Sequence, residues 1–291
     1  PPRSTLFPYT TLFRSEMVKG GAMAGIITGI SDDLKKIRSQ RPLIVNMTNF
    51  VVMNSTANGL LAIGASPAMC HFPDDAEELA GIAGALVLNP GTPDDELVNS
   101  MLIAGKAANK AGIPVILDPV GVGATNYRMK IVNQILSEAK PAVIRGNGSE
   151  ILALCGAHAA GKGVDSVHTS EDAAQIAKEY AQKMKTIVAV SGETDFITDG
   201  KEIAEVRGGD VMLTGITGTG CLLTALIGVF CSVNKNYFHS AIGAHVVLSI
   251  CGEKAAKKKY LPGTFSVNLL DELYKIKGKD IQKNARIAIY V

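Results

Sequence analysis

Aromatic residues make up only 5% of this 291-residue chain, and no apolar run approaches the roughly 20 residues that cross a bilayer. A membrane-spanning helix is therefore not expected. Excess charge is missing too: 29 Lys and Arg stand against 27 Asp and Glu, and the basic residues are scattered. Nucleic acid wants a concentrated basic face, so it is not expected as a partner. The five cysteines (Cys70, Cys155, Cys221, Cys231, Cys251) are odd in number, widely spaced, and form no C-x-x-C pair. Neither a disulfide framework nor a zinc cluster is indicated, and a reducing, cytoplasmic location is the expectation. No charged-then-apolar leader opens the sequence, and without one the Asn-x-Ser/Thr matches at Asn46, Asn54 and Asn147 are chance.

What is present is 47% hydrophobic residues and 30 glycines, the material of an α/β chain with tight turns. From residue 40 a rhythm sets in of short apolar strand, glycine or asparagine turn, and helix. Strands are predicted at Pro42–Asn46, Ala85–Asn89, Pro114–Asp118, Ala142–Arg145 and Thr186–Ser191. Each is a near-continuous apolar run, as expected where helices cover both faces of a parallel sheet. Helices are predicted at Met53–Ile63, Asp94–Ala111, Met129–Ala139, Ser149–Leu154, Glu171–Met184, Gly220–Val233, His239–Lys258 and Val267–Lys275. Residues 1–16 carry an internal echo, Ser4-Thr5-Leu6-Phe7 against Thr10-Thr11-Leu12-Phe13, and no amphipathic period. They read as a non-native or disordered extension, leaving 17–291 as one layered domain.

In such open sheets the ligand sits beyond the carboxyl ends of the strands. There the polar residues gather: Asn46 and Asn49, Asn89 to Thr92, Asp118-Pro119, Arg145-Gly146-Asn147, and Ser191-Gly192-Glu193. Asp118 suits Mg²⁺, which prefers oxygen ligands, although capping the next turn would also explain it. Arg145 can fork onto phosphate oxygens. Glu150, at a helix start, could reach a metal through water or could simply begin the helix.

The segment Gly215-Ile216-Thr217-Gly218-Thr219-Gly220-Cys221 precedes the apolar run Leu222–Phe230. Glycines let the backbone bend and approach a ligand, and the helix that follows offers unpaired N–H groups to an anion. Cys221 stands at the helix start, where a thiol gains thiolate character. The pattern reads as a phosphoryl-transfer site, with a glycine turn capping a buried helix as the plainer alternative. Gly215 to Gly220 has Walker spacing but lacks the lysine, and Gly156 to Gly163 nearly spells a Walker loop yet ends in Gly163 and follows a helix. Gly121-Val122-Gly123 lacks the third glycine of a dinucleotide fingerprint. The histidines lack metal-ligand spacing; His245, inside an apolar helix, reads as a satisfied buried histidine, and Glu253 to Lys259 as a solvated helix end.

From Pro42 to Phe265 the chain resembles the hydroxyethylthiazole kinase family of the ribokinase-like superfamily. The resemblance lies in Met47-Thr48-Asn49, Gly64-Ala65-Ser66-Pro67-Ala68-Met69, Leu117-Asp118-Pro119-Val120-Gly121, Arg145 to Glu150, Ser191-Gly192-Glu193 and Gly218-Thr219-Gly220-Cys221. It implies a three-layer α/β fold with a mostly parallel sheet, and phosphorylation of 4-methyl-5-(2-hydroxyethyl)thiazole by ATP in thiamine salvage. It implies that Asn49, Met69 and Gly218 contact the thiazole, that Arg145 and Ser191 contact ATP, and that Asp118 and Glu150 support Mg²⁺. The catalytic loop would be Gly218, Thr219, Gly220 and Cys221, with Cys221 where most of the superfamily has an aspartate base. Ser191 stands where the family usually has threonine. The family also implies a homotrimer in which Asn49 and Met69 serve the adjacent chain's Cys221. Rival readings are another small-alcohol kinase of the hydroxymethylpyrimidine type, a lyase for hydrated nicotinamide nucleotides, or a silent nucleotide-binding regulator.

Overall fold

The computed structural model describes residues 20–156, 170–257 and 261–291. The 1–16 extension and most of the Gly156–Gly163 near-Walker segment lie outside the described residues. Among the described residues one nine-stranded sheet organises the fold, in the order β2-β1-β3-β4-β5-β6-β7-β8-β9. The strands are β1 (Leu43–Met47), β2 (Ser66–Met69), β3 (Ala85–Leu88), β4 (Val115–Leu117), β5 (Val143–Asn147), β6 (Ile187–Ser191), β7 (Thr194–Thr198), β8 (Ile203–Arg207) and β9 (Ile287–Tyr290). The first six pair in parallel, and β7, β8 and β9 continue antiparallel. All five predicted strands are present within a residue or two of their expected ends.

Two helical layers cover the sheet. One holds α3 (Pro73–Ile82), α4 (Asp95–Lys110), α5 (Asn126–Ala139), α6 (Gly148–Leu154) and α7 (Ser170–Met184). The other holds α1 (Gly20–Gln40), α2 (Met53–Ile63), α8 (Thr219–Val233), α9 (Tyr237–Ala256), α10 (Pro262–Lys275) and α11 (Gly278–Asn284). The period-2 pleat sorts the strand residues between two cores: Ile44, Val87, Ile116 and Val143 join one, while Val45, Leu86, Leu88, Leu117 and Ile144 join the other. That double burial is why the strands read as unbroken apolar runs. Helix α8 lies on β1, β3 and β4 between α1, α2 and α9, and its residues Leu222–Cys231 are all buried. A helix apolar all round can sit only in such an interior.

Several elements exceed the expectation. Helices α1, α3 and α11 and strands β2, β7, β8 and β9 were not predicted, and α10 begins five residues earlier than Val267. Strand β2 reads Ser-Pro-Ala-Met, a poor strand sequence; it stands at the sheet edge, where Pro67 costs no central ladder bond. The helix end at Glu253 is not merely solvated, because Glu253 pairs with Arg286 and Lys254 Nζ lies 2.7 Å from Asp280 Oδ1.

Candidate active site

The parallel strands deliver their polar residues to one rim. Asn49 follows β1, Met69 ends β2, Asn89 follows β3, Asp118 follows β4, Arg145 lies in β5 and Ser191 ends β6. Helix α8 starts against that rim. Its N-cap Gly218 has φ +88°, a left-handed conformation that a side chain disfavours, and a Cβ there would meet Val52 Cγ1 at 2.8 Å. Thr219 Oγ1 donates to Leu213 O at 2.7 Å, which fastens the loop to the preceding short helix Val211–Thr214. The first amides of α8 have no intrahelical acceptor and carry the positive end of its dipole.

On one side of this helix start lies the Cys221 thiol. Asn89 Nδ2 donates to its sulfur at 3.1 Å and Asn49 Nδ2 at 3.6 Å, while Asn89 Oδ1 accepts from Asn49 at 3.0 Å. Asn49 thus reaches the Cys221 of its own chain, where the resemblance implied that of a neighbour. The thiolate expectation fails: burial, then the Asp118 carboxylate, push the Cys221 thiol up to about 11, against the Asn89 and Asn49 hydrogen bonds. Desolvation outweighs the helix terminus, so the sulfur keeps its proton at neutral pH.

On the other side lies Arg145, 8% exposed. Its guanidinium hydrogen-bonds Ser191 Oγ and stands 3.6 Å from Asp118 Oδ2. It also lies so close to Gly220 that a Cβ there would meet Nη1 at 2.6 Å. Gly220 is the gap through which the arginine reaches the helix start. Asp118 is buried; Thr224 Oγ1 donates to its Oδ2 at 2.8 Å, and its Oδ1 has no partner among the described residues. Burial raises the Asp118 carboxyl to about 6, opposed by Arg145 and reinforced by Glu150. Glu150 caps α6: its Oε2 accepts from Asn147 N at 2.9 Å and its Oε1 from Gly121 N at 2.8 Å. Gly121 and Gly123, with φ of +68° and +90°, form that turn and not a dinucleotide loop. Arg145, Ser191, Thr219 and Gly220 line a cavity of about 380 Å³ that extends to Asp195, His245 and Ser249.

The rim thus joins Asn49, Asp118, Glu150, Arg145, Ser191 and the Gly218–Cys221 loop. Met69 is placed near them by its strand alone, one strand outward from Asn49's. Three residues were missed. Asn89 was seen at a strand end but given no role; Thr224 was legible as a hydroxyl in an apolar helix, one turn beyond Gly220. His245 is buried but not satisfied, because among the described residues only its Nδ1 has a partner.

The description of the family model that matches residues 34–279 is hydroxyethylthiazole kinase family. The chain belongs to the hydroxyethylthiazole kinase family. The hydroxyethylthiazole kinase of Desulfotalea psychrophila is 44% identical over 265 residues, covering 91% of this chain and 97% of that one. That of a Thermoanaerobacter species is 45% identical over 88% of this chain and 98% of its own length. The solved hydroxyethylthiazole kinase structure from Pyrococcus horikoshii superposes with a TM-score of 0.83 at 40% identity, covering 90% of this chain and 99% of that one. The resemblance drawn from the sequence is borne out, and so are the ribokinase-like fold and the membership of a kinase family. Among the described residues no helix is long and apolar enough to cross a membrane.

Proposed function

We propose that this chain transfers the γ-phosphoryl group of ATP to the primary hydroxyl of 4-methyl-5-(2-hydroxyethyl)thiazole, in thiamine biosynthesis or salvage. The observation that carries the reading is the junction at Gly220. There one helix start has a protonated thiol on one flank and a buried arginine on the other. ATP fits the cavity lined by Arg145 and Ser191, with its terminal phosphate toward α8. The alcohol fits beside Cys221, Asn49, Met69 and Gly218. Phosphoryl transfer asks chiefly for positioning and for groups that receive negative charge. The amides of Gly218 to Gly220 receive that charge, and Arg145, braced by Ser191 and Asp118, shields the phosphates.

Cys221 works as an orienting group. With Asn49 and Asn89 donating to its sulfur, the S–H remains free to turn toward the alcohol oxygen. In a loose transition state the alcohol keeps its proton until late, so a base would contribute at most about 10²–10⁴-fold. Mg²⁺ fits the donor set: Asp118 Oδ1 is a buried oxygen acceptor with no partner among the described residues. Asp118 would hold the ion, and Glu150, its oxygens already accepting backbone amides, would reach it through water. When bound, Mg²⁺ neutralises phosphate charge.

The active unit is residues 17–291, cytoplasmic and trimeric. Supporting the trimer, Phe50, Val51 and Phe72 are 60%, 66% and 65% exposed, close in sequence to Asn49 and Met69. Phe50 stacks on His71 with ring centroids 5.3 Å apart. A coupled ADP-release assay tests the reaction. ADP release with the thiazole alcohol, and not with hydroxymethylpyrimidine or without acceptor, is the expected result. Release with the pyrimidine alcohol alone favours the rival kinase, and no release with any acceptor favours a silent binder.

A further inference from the structure

His245 sits in the middle of α9, 1% exposed, on the wall of the cavity that also presents Arg145, Ser191, Asp195 and Ser249. Its Nδ1 lies 2.8 Å from the carbonyl of Ala241, one turn earlier. A carbonyl can only accept, so Nδ1 carries the hydrogen and the ring's other nitrogen, when neutral, is a bare acceptor. Among the described residues that Nε2 is buried without a partner. An orphaned acceptor costs stability, and one carried by a residue that lines a cavity points to something the cavity is built to receive. The charged groups facing it are the Asp195 carboxylate and the Arg145 guanidinium; burial, the larger influence, and Arg145 hold the imidazole below its ordinary range.

A neutral acceptor cannot recognise ionised phosphate oxygens, which only accept. It recognises a donor. A nucleotide offers donors at two places, the ribose hydroxyls and an amino group on the base. We propose that His245 Nε2 accepts a hydrogen bond from the nucleoside part of the phosphoryl donor, so that this residue reads the nucleotide beyond its phosphates. The proposal rests on the reading that ATP occupies this cavity. In this arrangement Arg145 and the α8 amides grip the phosphates at one end, while His245 tests the nucleoside behind them. The helix backbone fixes the ring: its Nδ1–H is spent on Ala241, so Nε2 is presented in one tautomer and one orientation.

The test is calorimetric binding to the full chain of ATP, 2′-deoxy-ATP, 3′-deoxy-ATP and purine riboside triphosphate, which lacks the amino group. His245→Leu and Arg145→Met are measured beside the unaltered protein. Removing one partner of a buried hydrogen bond predicts about tenfold weaker ATP binding by His245→Leu. The analogue that lacks the recognised donor should bind the unaltered protein about tenfold worse than ATP and lose nothing further in the variant. The KM for the thiazole alcohol should not move, a split that a general loosening of α9 would not give. Should His245→Leu fail to fold, the analogue series on the unaltered protein decides. If none of the three analogues binds more than twofold worse than ATP, the proposal is overturned. ATP binding by folded His245→Leu within twofold of the unaltered protein overturns it as well, provided Arg145→Met is weakened. If Arg145→Met also binds ATP normally, the placement of the nucleotide in this cavity falls with it.

Discussion

Replacing Gly220 by alanine separates the site from the fold. The position is helical and its φ is not positive, so alanine suits the backbone and gains up to about 1 kcal/mol of helix propensity. The added Cβ, however, would stand 2.6 Å from Arg145 Nη1, 3.0 Å from Nη2 and 3.2 Å from Cζ. Ordinary contact begins near ~3.5 Å, so the guanidinium must retreat by about 1 Å. Arg145 is buried between Ser191 and Asp118, so it has no solvent-side route that keeps both partners. A misplacement of that size costs on the order of 100-fold in rate, about 2.7 kcal/mol of transition-state stabilisation. Steady-state ADP release should therefore show kcat/KM about 100-fold lower, while thermal unfolding stays within about 3 °C of the parent protein. A folded Gly220→Ala protein with activity within threefold of the parent would refute the assignment of Arg145 to the phosphates.

Further outcomes follow from the geometry. The Asp118 carboxyl is raised from its ordinary 3.8 to about 6, so kcat/KM should fall as pH drops through 6, because the protonated acid cannot hold a cation. Over the same window the native state keeps a proton that the unfolded chain has released. Stability should therefore decline by about 1–3 kcal/mol as pH rises from 4 to 6, and Asp118→Asn should abolish that slope in a urea-denaturation series. With its thiol pushed up to about 11, Cys221 should react with iodoacetamide at a rate that keeps climbing beyond pH 9. Cys221→Ala should lose about 10- to 100-fold in kcat without abolishing turnover, and Cys221→Asp should keep or raise it; complete loss in a folded, substrate-binding alanine variant would make the thiol indispensable. The proposed trimer predicts that Phe50→Asp, which places a charge on the exposed apolar rim beside Asn49, sediments as a smaller species than the parent protein; an unchanged assembly would put the interface elsewhere.

The parallel half of the sheet was legible because burial on both faces leaves its strands as uninterrupted apolar runs, as in Val115-Ile116-Leu117. The antiparallel half was less so. Strand β7 reads Thr-Asp-Phe-Ile-Thr and β8 Ile-Ala-Glu-Val-Arg, short and mixed, although the Asp199-Gly200 pair between them is a turn signal that could have exposed the hairpin. Edge strand β2 left no signal in its residue types, since its place is fixed by pairing with β1 alone.

Within the site, residue types at strand ends marked Asp118, Arg145 and Ser191, and the glycines marked the helix start. What the sequence could not show was which groups neutralise one another across the fold. The distance from Asn89 to Cys221 spans 132 residues and that from Thr224 to Asp118 spans 106, so only the folded sheet reveals them. The same holds for Cys221's ionisation: its position at a helix start was visible, but the burial that overrides it was not. His245 was visible as a buried histidine, while its single missing partner depends on where Ala241 and the cavity wall lie.

The account stands on the helix start at Gly218–Cys221 as the receiver of the phosphoryl group. A crystal structure of the protein with ADP, a metal fluoride and the thiazole alcohol addresses it directly. The account predicts the fluoride plane within hydrogen-bond reach of those amides and of Arg145, with the alcohol oxygen facing Cys221. A fluoride plane held away from α8, with the nucleotide outside the cavity lined by Arg145 and Ser191, would contradict it.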